Sequence, residues 1–132
     1  MKALKDILYK VSIEAVVGST NLQISNMHFD SRKIAENDVF FAINGTTING
    51  HEFIDRAIEL GAKAIVCENL PNNFNTDICY IQVANTSSAL AIMAANYYNS
   101  PSKKLKLIGV TGTNGKTTIA SLLYQLFKNA GY

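Results

Sequence analysis

The glycine-rich segment Gly112–Thr118, near the carboxyl end of the sequence, constrains the fold more than any other feature. The apolar run Leu107–Val110 before it predicts a buried strand, and apolar residues at helical spacing after it predict a helix, namely Ile119, Leu122, Leu123, Leu126 and Phe127. A tight turn from strand to helix leaves backbone N–H groups without partners in one hollow, where the helix dipole adds positive potential. The segment is therefore predicted to be a phosphate-binding loop, here called the P-loop.

The residue types in the P-loop suit this chemistry. Gly112 and Gly115 permit close approach of the backbone to phosphate oxygens, Lys116 supplies a point charge, and the hydroxyl of Thr117 can ligate Mg²⁺. Lys116 is the candidate catalytic residue and Thr117 the candidate magnesium ligand. The predicted ATP-binding positions are Gly112, Thr113, Asn114, Gly115, Lys116, Thr117 and Thr118. The alternative for Gly-Lys-Thr alone is an ordinary helix entrance, and Val110 stands where the general motif has glycine.

The composition agrees with a soluble intracellular protein and calls for neither nucleic acid nor a membrane surface as a partner. The 132 residues carry a formal charge of +2, and the longest basic run is Lys103-Lys104. The amino terminus lacks the apolar core of a signal peptide and the run Ala89–Ala95 is too short to span a bilayer, so a cytoplasmic location is expected. Cys67 and Cys79 have no CxxC spacing, which favours buried, reduced thiols over a metal site or a disulfide.

Strands and helices alternate in the first hundred residues, as is typical of an α/β domain. Apolar spacing predicts helices at Leu4–Val11, Phe53–Leu60 and Ser88–Asn99, and strands at Ile24–Phe29, Val39–Ile43, Ala64–Cys67 and Ile78–Val83. The second helix is expected to stop at Gly61. The third is expected to be capped by Asn85 or Thr86 and to bury positions 89, 92, 93 and 97. A polar turn is expected at Asp30–Lys33.

The segment Asn99-Ser100-Pro101-Ser102 predicts a domain boundary, because proline disfavours helical geometry in the residue before it. Residues 1–100 are expected to form a small α/β domain with a mixed sheet flanked by helices. Residues 101–132 are expected to supply the first strand, the P-loop and the helix of a second, incomplete domain.

Residues in both parts resemble the Mur ligases, which build the peptide stem of bacterial cell-wall precursors. The phrase Gly109–Thr118 resembles their ATP-binding signature. Their nucleotide-sugar domain is similar in Asp30-Ser31-Arg32, Asp38–Ala42, Gly45, Gly50–Ile54, Ala57 and Gly61–Val66. The P-loop phrase favours the branch that adds the third amino acid over the MurF branch, which more often carries serine at the position of Thr113. Asn49 departs from the family, which commonly has aspartate there.

The resemblance implies ATP and Mg²⁺ as cofactors and a UDP-N-acetylmuramoyl dipeptide as substrate. ATP would phosphorylate the free carboxylate of the D-glutamyl residue, and the amine of diaminopimelate or lysine would attack the acyl phosphate. The positions implied to contact the UDP end are Phe29, Ser31, Thr46, Thr47 and Ile48. Each has a structural alternative, since the phenylalanine can be core, the serine can close a turn and the others can fill a loop.

Two further side chains have open interpretations. His51 is available as an acid or base, although a structural role in the first turn of a helix is favoured. Arg32 can reach a phosphate or form an ion pair.

The residues after the P-loop restrict what this chain does alone. Thr117–Tyr132 contains no aspartate, glutamate or histidine, so it offers no second magnesium ligand. We expect residues 101–132 to be the start of a truncated central ATPase domain and the chain by itself to be inactive. The apolar stripe of the last helix would pack on the first domain, pair with another chain or fray. Two other functions stay open: a freestanding UDP-sugar-binding module and a generic P-loop ATPase or kinase.

Overall fold

The computed structural model describes residues 1–46, 48–106 and 108–132. The predicted contact of Thr47 and the first residue of the predicted strand Leu107–Val110 lie outside the described residues. The chain divides into two compact units, Met1–Pro101 and Ser102–Tyr132. We describe each unit by itself.

Seven short strands lie among the described residues of the first unit. They are β1 (Lys2–Ala3), β2 (Ala15–Val17), β3 (Gln23–Ile24), β4 (Met27–His28), β5 (Asp38–Phe41), β6 (Ala62–Cys67) and β7 (Cys79–Gln82). Five of them form a sheet in the order β2-β7-β6-β5-β4, and β1 pairs with β3 separately. Strands β4 to β7 run parallel and β2 joins β7 antiparallel, so the predicted mixed sheet is confirmed.

Helices cover both faces of this sheet. The first unit has α1 (Leu4–Ile7), α2 (Ile54–Glu59) and α3 (Thr86–Tyr97), with 3-10 turns at Ser31–Lys33 and Gly50–Phe53. A third 3-10 turn, Pro101–Lys104, spans the division between the units. Alternate residues of β5 point to opposite faces, so Val39 and Phe41 pack with α1 and α3 while Phe40 packs with α2. Because every residue of β5 is buried, this strand is central, as its apolar sequence predicts.

Several predicted elements differ from the observed ones. The single strand predicted at Ile24–Phe29 is wrong: β3 and β4 belong to different sheets, because the main chain of Ser25 and Asn26 bonds instead to Asn37 and Val39. The first helix ends at Ile7 and not at Val11 as predicted. Of the predicted apolar face at positions 4, 7, 8 and 11, the first three residues are buried and Val11 is partly buried against the same core. The predicted burial of Ile92 is also wrong. Its side chain is 37% exposed, because it lies to one side of the stripe formed by positions 86, 89, 93 and 97.

Other predictions for the first unit hold. Gly61 ends α2 with a φ of +109°, and Asn85 caps α3 by accepting a hydrogen bond from the backbone N–H of Ser88 at 2.8 Å. Cys67 and Cys79 are buried, unbridged thiols, and burial raises the pKa of Cys67 to about 11.

The second unit contains the helix α4 (Lys116–Asn129), as predicted. The predicted strand before the P-loop is wrong for residues 108–110, which pair with no strand among the described residues. A strand is defined by hydrogen bonds to a neighbour, and an apolar run does not supply that neighbour by itself. None of the helices in the described ranges combines the length and apolar character needed to cross a membrane.

Candidate functional site

A cavity of about 640 Å³ lies at the carboxyl edge of the sheet in the first unit. Because β4 and β5 are parallel, the segments that leave them meet at the same edge. The lining of the cavity comes from the turn after β4, from β5 and the loop after it, and from the start of α2. The lining residues are Phe29, Asp30, Ser31, Arg32, Phe40, Ile43, Gly45, Ile48, Gly50, Phe53 and Arg56.

Three of the five positions predicted to contact the UDP end come together in this cavity. Phe29 and Ile48 are apolar yet 66% and 62% exposed, so Phe29 is not a core residue. Ser31 is buried in the 3-10 turn, and its hydroxyl makes no hydrogen bond to a described residue. Thr46 is exposed in the loop after β5 and does not line the cavity. The cavity thus offers apolar surfaces and a hydroxyl close to one another.

The turn after β4 carries a bidentate ion pair. The Oδ1 atom of Asp30 accepts hydrogen bonds from the backbone N–H and the Nε of Arg32 at 3.1 and 2.9 Å, and its Oδ2 accepts one from Nη2 at 2.8 Å. The hydrogen bonds from the Arg32 side chain, followed by the one from its backbone, lower the pKa of Asp30 to about 2. The structure therefore agrees with the second interpretation of Arg32, in which it forms an ion pair.

His51 has the structural role that the sequence favours. The Oδ1 of Asn49 accepts from the backbone N–H of His51 at 3.0 Å and lies 2.9 Å from its Nδ1. The Nε2 of His51 accepts from the backbone N–H groups of Glu68 and Asn69 at 3.1 and 3.2 Å. With Nε2 as the acceptor, Nδ1 is the ring nitrogen that can donate to Oδ1 of Asn49. The ring joins the start of the 3-10 turn to the chain after β6, and both of its nitrogen atoms are occupied.

The P-loop of the second unit leads directly into α4. Gly115 begins α4 with a φ of +78°, a conformation that favours glycine, and no side chain caps the helix. The ammonium of Lys116 lies beside the loop, where it donates to the carbonyl oxygens of Gly112 and Thr113. An anionic phosphate oxygen is a stronger acceptor than either carbonyl. The donors present therefore fit a polyphosphate such as that of ATP.

The described residues of the second unit offer fewer groups for Mg²⁺ than for a phosphate. Thr117 lies in the first turn of α4, where its exposed hydroxyl offers one oxygen ligand. Nowhere in the described ranges do three or more histidine, cysteine, aspartate or glutamate side chains form a group that could hold a metal ion. Thr117 can thus contribute one ligand to an ion held mainly by phosphates.

The sequence pattern alone did not single out Arg56 or Ile43 as cavity residues. Phe40, Gly45, Gly50 and Phe53 belonged to the resemblance but carried no assigned role. The signal that finds them is topological, since the carboxyl ends of adjacent parallel strands share one edge. These residues can be identified only when the strand pairing is known, and the apolar pattern of the sequence does not predict that pairing.

Together, the parallel sheet edge and the glycine-rich loop at a helix start define an α/β protein with two candidate ligand sites. A family model described as "Mur ligase family, catalytic domain" matches residues 23–98, which is more than half of the chain. The chain belongs to the Mur ligase family.

Curated relatives resemble nearly the whole chain. It is 49% identical over 130 residues to a protein of Cytophaga hutchinsonii and 43% identical over 129 residues to one of Phocaeicola vulgatus. Both are named UDP-N-acetylmuramoyl-L-alanyl-D-glutamate–2,6-diaminopimelate ligase. The alignments cover 98% of this chain and 27% of each relative. These names belong to the branch that the P-loop phrase favours, and the chain spans about a quarter of the length of these relatives.

A solved structure supports the same family. The MurF ligase from Thermotoga maritima, in complex with ADP, superimposes with a TM-score of 0.59 at 34% identity. The superposition covers 79% of this chain and 23% of that one.

Proposed function

We propose that this chain supplies two binding sites of an ATP-dependent ligase of peptidoglycan synthesis. The ligase would add the third amino acid to UDP-N-acetylmuramoyl-L-alanyl-D-glutamate. In this proposal, residues 1–100 bind the nucleotide-sugar end and residues 101–132 begin the ATP-binding domain. Diaminopimelate is the favoured amino acid over lysine, because the relatives' names specify it. The proposed location is the cytoplasm.

The observation that carries this proposal is the cavity at the carboxyl ends of β4 and β5. Its volume of about 640 Å³ lies within the usual range for small-molecule sites. Phe29 and Ile48 would cover the faces of the uracil ring, and Ser31 would hydrogen-bond to its polar edge or to the ribose. Thr46 and Thr47 remain proposed contacts from the same loop.

The proposed chemistry is acyl activation followed by amide formation. The γ-phosphoryl group of ATP passes to the carboxylate of the D-glutamyl residue, which gives an acyl phosphate and ADP. The amine then attacks the acyl carbon, forms the amide bond and releases phosphate. The proposed role of Lys116 and the amides of Gly112–Thr118 is to hold the phosphates and offset their charge. Thr117 would contribute one oxygen to Mg²⁺.

Calorimetric titration with UDP-N-acetylmuramoyl-L-alanyl-D-glutamate, without ATP, tests the cavity assignment. We expect saturable binding that Ser31→Ala weakens by about fivefold, the value of one neutral hydrogen bond. Ser87→Ala is the matched control, because Ser87 is an exposed residue of α3 outside the cavity. Undetectable binding to the unaltered chain would overturn the assignment. Binding of Mg·ATP without binding of this substrate would favour a generic ATPase.

A second titration, with Mg·ATP, tests the P-loop. We expect weak binding that Lys116→Ala abolishes, because the ammonium is the one side-chain charge that the proposed phosphate site supplies. Lys128→Ala removes the same charge from the opposite end of α4 and should leave the affinity unchanged. Equal losses in the two variants would contradict a specific role for Lys116.

A further inference from the structure

The chain contains two arginines, Arg32 and Arg56, and both line the cavity at the carboxyl edge of the sheet. The other ten basic residues are lysines, and none of them lines it. Arginine presents a planar set of donors that matches the oxygens of a phosphate. The two side chains differ in whether a carboxylate already forms an ion pair with them.

Arg32 is engaged by Asp30. Its Nε and Nη2 atoms donate to the two carboxylate oxygens at 2.9 and 2.8 Å, so the charges of the pair offset each other. The pairing has a second consequence, because it keeps the Asp30 carboxylate from repelling an anion in the cavity. The pair contributes no net charge to the cavity.

Arg56 has no such partner within the described part of the chain, where the ion pairs are those of His28 with Asp38 and Arg32 with Asp30. Its side chain is exposed, but its backbone is held in α2 between the buried residues Ile54 and Ala57. The guanidinium is therefore a positive charge on a well-anchored stem at the cavity wall. Arg56 gives the described lining of the cavity a net charge of +1, since the charges of Asp30 and Arg32 cancel.

The lining thus combines two chemistries. Phe29, Ile48 and Phe53 offer apolar and aromatic surface, and Arg56 offers one uncompensated cation. A ligand that satisfies both has a flat base and an anionic group, as a nucleoside diphosphate does. We propose that Arg56 binds the diphosphate of the nucleotide in this cavity and so distinguishes a nucleoside diphosphate from the uncharged nucleoside. This inference rests on the proposed function and assigns the group that recognises the ligand's charge.

The experiment compares the affinities of UDP and uridine for the 132-residue chain by calorimetry. The unaltered chain should bind UDP about tenfold more tightly than uridine, the value of one charge-assisted contact. Arg56→Gln should remove this advantage and leave the uridine affinity unchanged, which also shows that the cavity remains folded. Arg56→Lys keeps the charge and should retain part of the advantage. Lys5→Gln removes an equal charge from an exposed position of α1 and should change neither affinity.

The outcomes separate this inference from the proposed function. If the unaltered chain binds UDP and Arg56→Gln leaves the preference for UDP intact, the role of Arg56 is overturned while the cavity assignment stands. An equal effect of Lys5→Gln would also overturn it, because the preference would then reflect overall charge. If the unaltered chain binds neither UDP nor uridine, the cavity assignment fails and this inference fails with it.

Discussion

At the scale of single residues, the contacts of Arg32 and His51 differ in how far along the chain their partners lie. Arg32 follows Asp30 by two positions, and this spacing allows either an ion pair or a guanidinium directed at a ligand. The choice depends on the 3-10 turn at Ser31–Lys33, which brings the side chains together. His51 was more predictable, because a histidine beside Asn49 and Gly50 at a helix entrance commonly has a structural role. Its contacts with Glu68 and Asn69 lie far along the chain and left no local signal.

The Asp30–Arg32 pair gives a pH prediction. Because the pKa of Asp30 is lowered from 3.8 to about 2, its contribution to folding stability is complete above pH 3.8 and is lost as the pH falls through about 2. An NMR titration of the Asp30 carboxyl carbon should give a midpoint near the lower value. In Arg32→Gln the midpoint should return toward 3.8. A midpoint near 3.8 in the unaltered chain would mean that the pair does not form in solution.

At the scale of elements, apolar periodicity located most helices and strands of the first unit but not how they pair. It placed the central strand correctly, since β5 is buried on both faces. It merged β3 and β4, because the interruption at Ser25 and Asn26 is set by hydrogen bonds to Asn37 and Val39, which lie further along the chain. It missed β1 and β2, whose two and three residues are too short to show a period. The cavity depends on the pairing of β4 with β5, so its full lining was not predictable.

The amino-terminal cap of α3 is an element whose contribution can be measured. Asn85→Ala removes the acceptor for the Ser88 N–H and should lower the free energy of unfolding by about 1 kcal/mol. Asn85→Asp keeps an acceptor at the same position and should cost little. Urea unfolding followed by circular dichroism gives both values. Equal stability of the alanine and aspartate variants would show that the cap contributes nothing.

The apolar face of α4 predicts self-association. Ile119, Leu122 and Leu126 are about half exposed or more, and burying large apolar side chains is favourable by roughly 1.5–3 kcal/mol each. Sedimentation velocity should show a mass that rises with concentration. The double variant Leu122→Lys, Leu126→Lys should remain monomeric, whereas Ser121→Lys, on another face of the helix, should associate normally. A concentration-independent monomer for the unaltered chain would contradict this prediction.

At the scale of the whole molecule, charge is divided between the two units. All ten acidic residues lie in Met1–Pro101, while Ser102–Tyr132 carries five lysines and no acidic residue. The net charge of +2 conceals this division. A basic P-loop unit suits a polyphosphate, and an acidic first unit makes the net positive charge of its cavity lining a local feature. The overall composition predicts neither the division of charge between the units nor the positive charge of the cavity lining, because both depend on where the charged residues lie.

The proposed function requires the cavity at the carboxyl ends of β4 and β5 to bind the nucleotide end of the substrate. An NMR titration of the isotope-labelled chain with UDP tests it most directly. We expect saturable shift changes at the amides of Phe29, Ser31 and Ile48 and at the Nε–H of Arg56, with little change at Asn85 or Ser87. Shift changes centred elsewhere in the chain, or none up to millimolar UDP, would contradict it.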